Sequence, residues 1–203
     1  MYFSQHGEDK YLETLFATTA QGFCVDVGAT DGISISNTYL FERRGWDCIC
    51  VEPIPSYFEQ CKRNRKTAVC CAIGAEAADA QDFTIFTLGS DNYSAISGLQ
   101  TDTRLVDSHA HLITKSQVIK VPVRTLTSVL DEYHAPTTID FISIDTENTE
   151  LDVLKGLDMN KYKVKVFCIE NNFNEPMIEE YLLQFNYKKI HRLAVNDFYV
   201  LNE

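Results

Sequence analysis

The sequence predicts a doubly wound α/β domain with a mostly parallel sheet and an antiparallel C-terminal strand. Three observations carry this: short apolar runs alternate with segments of helical periodicity; the runs are apolar on both faces, as in sheets covered from both sides; and the last two runs are close enough to form a hairpin. The chain has 203 residues, enough for one domain with a sizeable core, and no Pro/Ser-rich linker or composition shift divides it.

The elements follow in order. Tyr11, Leu12, Leu15 and Phe16 fall at helical spacing within 7–18, and residues 23–27 (FCVDV) form a buried strand. A glycine turn leads to a helix expected from Ser34 to Arg44, closed by Gly45. CICVEP, 48–53, is a second strand ended by Pro53, and a helix over 55–64 precedes a third strand over 68–73. Residues 83–88 and 118–124 read as further strands, separated by about 30 polar residues, longer than an ordinary connection and so a candidate lid or recognition loop. A helix at 126–133, a strand at 138–145, a helix at 149–157, a strand at 165–170, a helix at 177–185 and a closing hairpin complete the series.

Composition narrows the partners. Twenty-nine acids against 18 Lys plus Arg leave a formal charge of -11, which disfavours nucleic acid and anionic membranes and favours a neutral or cationic small molecule. Seven cysteines, odd in number and set in apolar runs without CxxC pairing, read as reduced thiols rather than a disulfide frame or zinc site. The first residues lack a basic stretch followed by an apolar core, and no apolar run approaches the ~20 residues of a membrane span, so a cytoplasmic location is expected.

In such sheets ligands sit beyond the carboxyl ends of the strands. Those ends carry Asp26, Glu52, Ala72 to Gly74, Asp145 and Glu170. The turn VDVGATDG places Asp26 and Asp31 beside Gly28 and Gly32. A dinucleotide site would show G-x-G-x-x-G and a positive environment for pyrophosphate; here the fingerprint is incomplete and the charge has the opposite sign. S-adenosyl-L-methionine fits better, because it carries an ammonium and a sulfonium and no phosphate. Its carboxylate would use backbone donors near Gly28 and Gly32, Asp26 would face the ammonium, Glu52 with the adjoining Pro53 would receive the ribose, and adenine would lie near Ala72 and Ile73. Asp31-Gly32 is also an ordinary turn dipeptide.

The blocks SQHGEDKYL (4–12), VDVGATDGISISNT (25–38), GWDCICVEP (45–53), VRTLTSVL (123–130) and FISIDTENTELDVLKGL (141–157), with NDFYV near the end, resemble the FkbM-type methyltransferases and cover nearly the whole chain. That resemblance implies a Rossmann-like domain of the class I methyltransferase type, an S-adenosyl-L-methionine cofactor, and methylation of oxygen on a sugar, glycan or secondary metabolite. It also places the N-terminal block over the methionine end, which nominates Gln5, and similarly Asn37. One position departs from the family's D-x-E-G-x-E segment: Asn148 stands where glycine is usual. Asparagine tolerates positive φ, so the turn survives, while the approach of an acceptor there is put in question.

Methyl transfer to an alcohol needs in-line alignment and a base within reach. Asp145 is the best-placed candidate, with Glu147 beside it; crowding by Glu150 and Glu170 would raise a carboxylate pKa. The same acids would alternatively hold a divalent ion. Structural roles compete throughout: Asp145 as a helix cap, Glu150 and Asp152 as acids in a first helical turn, and SQHGED as capping of the first helix by Ser4. His109 and His111 read as a solvated pair, and Tyr93 within 90–94 as a stacking surface for an acceptor sugar. A nicotinamide-dependent oxidoreductase and an inactive nucleoside-binding module are the competing functions.

Overall fold

The computed structural model describes residues 1–89, 96–100 and 102–202. Its strands are β1 (Phe23–Val27), β2 (Asp47–Val51), β3 (Ala68–Val69), β4 (Ala72–Ile73), β5 (Ala78–Leu88), β6 (Ile113–Arg124), β7 (Thr138–Ile144), β8 (Lys163–Glu170), β9 (Tyr187–Leu193) and β10 (Asn196–Leu201). The helices are α1 (Glu8–Leu15), α2 (Tyr39–Glu42), α3 (Pro55–Asn64), α4 (Thr103–His109), α5 (Leu126–Glu132), α6 (Glu150–Lys155) and α7 (Met177–Leu183).

Seven strands form one sheet in the order β3-β2-β1-β7-β8-β10-β9. The pairs β1–β2, β1–β7, β2–β3 and β7–β8 are parallel, and β10 runs antiparallel to both β8 and β9. This is a Rossmann-like doubly wound sheet of the class I methyltransferase type, as expected. The strand order reverses between β1 and β7, so their carboxyl ends, at Val27 and Ile144, flank the crevice where such sheets bind ligands. One face is filled by Val25, Ile49, Ile142, Phe167 and Leu130, the other by Cys24, Phe41, Trp46, Phe141 and Phe198. The two faces come from alternate residues of the same strands, which is why each strand reads as a continuous apolar run.

Two elements differ from the expectation. Residues 33–38 do not form a helix; only Tyr39–Glu42 do. Asp31 accepts from the backbone N–H groups of Ile33 and Ser34 at 2.8 and 2.7 Å, and Ser36 Oγ accepts from those of Thr38 and Tyr39 at 3.2 and 3.1 Å. Short polar side chains thus take the donors that a helix would use.

The run 68–73 is also not one strand. Val69 pairs with Val51 in the large sheet, whereas Ala72 and Ile73 pair with Val123 and Arg124 in a second sheet of order β4-β6-β5. That sheet is mainly the long antiparallel β5–β6 pair, and its apolar face (Phe83, Val121, Val123) packs on Ile54 and Ala72. Within the long polar segment lies α4, capped by the Asp102 side chain. The stacking surface expected at Tyr93, within 90–94, lies outside the described residues.

All seven cysteines are free, and all but Cys70 are buried. Among the described residues no helix is long and apolar enough to cross a membrane.

Candidate active site

A cleft of about 690 Å³ opens at the carboxyl ends of β1, β2, β4 and β7. Gly28, Glu52, Pro53, Ala72, Ile73, Asp145 and Glu147 all line it. A recess of about 270 Å³ shares Gly28, Thr30, Ile35 and Asp145 with the cleft and adds Asp26 and Asn37. Nine of the twelve residues singled out from sequence thus line this cleft or recess.

Gly28 is required by close approach. Its φ is 91°, and a Cβ there would lie 1.8 Å from the Asp145 carbonyl oxygen. The tips of β1 and β7 therefore touch through a position that no side chain can occupy. The turn is then locked: the N–H groups of Gly28 and Ala29 donate to Val51 O at 3.0 and 3.1 Å, and that of Gly32 donates to Ala29 O at 2.8 Å. The donors expected to meet a cofactor carboxylate near Gly28 and Gly32 are consequently spent inside the loop. With no helix at 33–38, no helix N-terminus points at the turn.

Asp31 and Gly32 lie outside the cleft. Asp31 organises the loop; burial raises its pKa, but the Ile33 and Ser34 donors outweigh it and hold the carboxyl below its ordinary value. Gly32, at φ 83°, lies over the Arg65 side chain, 2.7 Å from a built Cβ to Arg65 Cγ.

Arg65 is the residue that the sequence concealed. It stands at the end of α3 in the run KRNRK, which reads as solvated charge, yet its side chain is 0% exposed. The guanidinium donates to Glu42 Oε2 (2.8 Å), Gly32 O (2.9 Å), Thr38 Oγ1 (2.8 Å) and Cys48 Sγ (3.0 Å), and lies 3.7 Å from Asp26 Oδ2. Asp26 also accepts from Ser36 Oγ at 3.0 Å and Thr38 Oγ1 at 2.5 Å. Burial still raises the Asp26 pKa, against the pull of Arg65. Asp26 is thus tied to the loop as well as lining the recess. Asn37 Nδ2 donates to Ser143 Oγ at 2.9 Å.

Glu52 is buried at the β2 tip. One carboxylate oxygen accepts from Thr30 N and the other from Ile54 N, each at 2.8 Å. Burial nevertheless pushes its pKa up to about 8. Ile54, Tyr57, Phe83 and Leu99 supply apolar lining to the same cleft. Sequence reasoning missed this wall because it joins Ile54 and Tyr57 at the start of α3 to Phe83 and Leu99 from the second sheet and its connection.

At the β7 tip the acids gather. Burial first, then Glu147 and Glu150, raise Asp145 well above the carboxylate range, while Glu147 is pushed by burial to about 7. Burial and the Asp145 charge likewise raise Glu170. The backbone makes this crowding possible: Glu147 and Asn148 have φ of 59° and 85°, so Asn148 does adopt the conformation for which glycine is usual. Glu150 Oε1 accepts from Thr146 N, Thr146 Oγ1 and Asn148 N at 3.0 to 3.1 Å, closing the turn. Glu150 is therefore structural. Asp152 lies in the α6 N-terminal turn, half-buried and paired with Lys155.

The N-cap of α1 is Gly7, at φ 96°, rather than Ser4, although the Ser4 hydroxyl still reaches the helix's first turn. Ser4 Oγ accepts from Gly7 N and Asp9 N at 3.1 and 3.2 Å, and buried Glu8 accepts from Asn196 Nδ2 at 2.9 Å. Gln5 is exposed; the adjacent Ser4 bridges to Ile35, which lines the cleft. His109 Nδ1 contacts Leu105 O within its own helix at 3.0 Å.

A groove beside the acids is lined by Gln100, Arg104, Asn148, Glu170, Asn171 and Phe173, among others. Arg104 stacks 3.8 Å from the Phe173 ring centroid.

The family model described as "Methyltransferase FkbM domain" matches residues 26–189. No curated protein matches the chain. Among solved structures it is similar to a human methyltransferase 10 domain containing protein, with 14% identity, 94% of this chain and 76% of that one covered, and a TM-score of 0.45. It is also similar to a precorrin-6y C5,15-methyltransferase from Geobacter metallireducens GS-15 (10% identity, 95% and 85% covered, TM-score 0.46). A third is M. capricolum TrmK in complex with S-adenosyl-homocysteine (8% identity, 94% and 66% covered, TM-score 0.42).

Proposed function

The chain belongs to the FkbM family of S-adenosylmethionine-dependent methyltransferases, and from that premise we propose that it methylates a hydroxyl oxygen of a sugar, glycan or secondary-metabolite acceptor. The observation that carries the reading is Glu52: a buried carboxylate with each oxygen held by one backbone N–H, lining a largely apolar cleft that also contains Gly28 and Asp145. Each oxygen keeps a lone pair for one hydroxyl of a ribose diol.

The remaining assignments follow the cleft. Ala72, Ile73 and the Phe83–Leu99 wall would hold the adenine, and the recess at Asp26 and Asn37 would take the methionine end, with Gln5 on the segment bridged to Ile35. With the loop N–H groups engaged, Asp26 supplies negative charge for the ammonium, and Asp31, Gly32 and Arg65 hold the loop in place behind it.

When bound, S-adenosylmethionine would supply a sulfonium methyl to the acceptor oxygen, its sulfur keeping the electron pair of the S–C bond. The protein aligns the acceptor and takes its proton, and Asp145, shared by cleft and recess, is the base. Burial and the neighbouring acids raise its pKa, so once ionised it is a stronger base than an ordinary carboxylate. The groove offers an acceptor the Asn148 amide and an Arg104 guanidinium stacked on the Phe173 ring, while the Asn171 amide is spent on Glu175 O and Asp197. Asn148 Nδ2 is buried without a hydrogen-bond partner among the described residues, a donor available to an acceptor oxygen.

Calorimetry with S-adenosylmethionine and S-adenosylhomocysteine tests the cleft, and absence of binding by both removes the reading. Asp145→Asn is expected to lower turnover about 10²- to 10⁴-fold with unchanged S-adenosylhomocysteine affinity. Mass spectrometry of glycans and metabolites with and without the gene identifies the acceptor by loss of one CH₂.

A further inference from the structure

We propose that Asp145, Glu147 and Glu170 bind one divalent cation of the hard, oxygen-ligated class, Mg²⁺ or Mn²⁺, where the donor cleft meets the groove. One carboxylate oxygen from each residue lies within 4.8 Å of the other two. Ligands of one such ion stand about 2.1 Å from it, so oxygens on opposite sides are about 4.2 Å apart and small side-chain rotations close the shell.

The second observation is what the cluster lacks. Other buried acids of the fold are satisfied, either by cations, as Asp26 and Glu42 are by Arg65 and Asp197 by Lys189 and Arg192, or by neutral donors, as Glu52 is by Thr30 N and Ile54 N and Glu8 by Asn196. Among the described residues, none of Asp145, Glu147, Glu150 and Glu170 has an ion-pair partner, although Glu150 is satisfied by its turn donors. Glu170, only 9% exposed, has Oε2 buried with no hydrogen-bond partner. Burying a carboxylate oxygen unpaired is costly, and a cation in this position removes that cost.

The placement gives the ion a use. Asp145 and Glu147 line the cleft, and Glu170 lines the groove, so a cation between them reaches both. Sites still open on it would take water or the acceptor oxygen, whose hydroxyl it would acidify, with the proton leaving to a carboxylate oxygen not bound to the ion. This use rests on the methyl-transfer reading; the binding of the ion does not.

The probe is Mn²⁺, titrated into the full chain at pH 7.5 and followed by electron paramagnetic resonance. One Mn²⁺ per chain is expected. Glu170→Gln and Glu147→Gln are each expected to weaken it by more than the roughly 10- to 100-fold seen when a mere supporting partner is lost, and exposed Glu180→Gln to leave it unchanged. Circular dichroism verifies that each variant folds, and two independent ligand variants guard against failure of one. No Mn²⁺ binding at millimolar concentration, or equal binding in wild type and both ligand variants, overturns the site. S-adenosylhomocysteine calorimetry on the same samples separates the readings: nucleoside binding without Mn²⁺ binding sinks the cation site alone, and Mn²⁺ binding without nucleoside binding sinks only the methyl-transfer reading.

Discussion

Nucleoside affinity should depend on pH through Glu52. Burial places its pKa at about 8 even though two backbone N–H groups donate to it. At pH 7 the free protein therefore holds this carboxyl mostly protonated, and ionising it costs about 1.4 kcal/mol. A ribose diol donates two hydrogen bonds to the ionised form, so binding expels the proton. The affinity for S-adenosylhomocysteine should rise about tenfold per pH unit between pH 6 and 7.5 and level off above pH 8. Calorimetry in buffers of different ionisation enthalpy reads both the affinity and the released proton. Glu52→Gln should remove the slope. At pH 8.5 it should weaken binding by about 1.5–3 kcal/mol, the worth of hydrogen bonds to a charged acceptor. An unchanged slope in Glu52→Gln, or no slope in the wild type, would refute the assignment of the ribose to this carboxylate.

Other outcomes follow from the same charges. Arg65→Met strips the cation from buried Asp26 and Glu42 and should cost about 3–5 kcal/mol in urea denaturation; a loss under about 1 kcal/mol would contradict its place as the loop's anchor. Arg65→Lys should not rescue it, because one ammonium cannot reproduce a planar fork that reaches Glu42, Gly32, Thr38 and Cys48. Stability should fall as pH rises from about 5 to 8: Glu52 and Glu147 hold their protons to about 8 and 7 in the folded chain, whereas unfolded glutamates release theirs near 4.3, so the folded state binds more protons throughout that window. Thermal denaturation between pH 6 and 8.5 measures this, and a melting temperature that is flat or rising would contradict the raised values.

What the sequence alone determined is the order of layers and the chemistry at strand tips. Alternating helix and strand periodicity specified a parallel sheet, and a parallel sheet sends every strand's carboxyl end to one edge, so Asp26, Glu52 and Asp145 had to meet there. Local propensity reached as far as Asn148, whose tolerance of positive φ agrees with the 85° it adopts.

The tertiary structure decided what depends on partners distant in the chain. Ser34 to Thr38 read as the start of a helix, but Asp31 and Ser36 capture the backbone donors there, and Arg65 pins the resulting loop from below. Ala68 to Ile73 is apolar throughout, and an apolar run carries no mark of where one sheet's edge ends and another's begins; pairing with Val51 on one side and Val123 on the other divides it. Arg63 and Arg65 are indistinguishable in composition, yet only Arg65 meets buried Asp26 and Glu42. Hydrogen bonds and ion pairs are short-ranged, so which polar group is satisfied is settled only when packing brings its partner within about 3 Å.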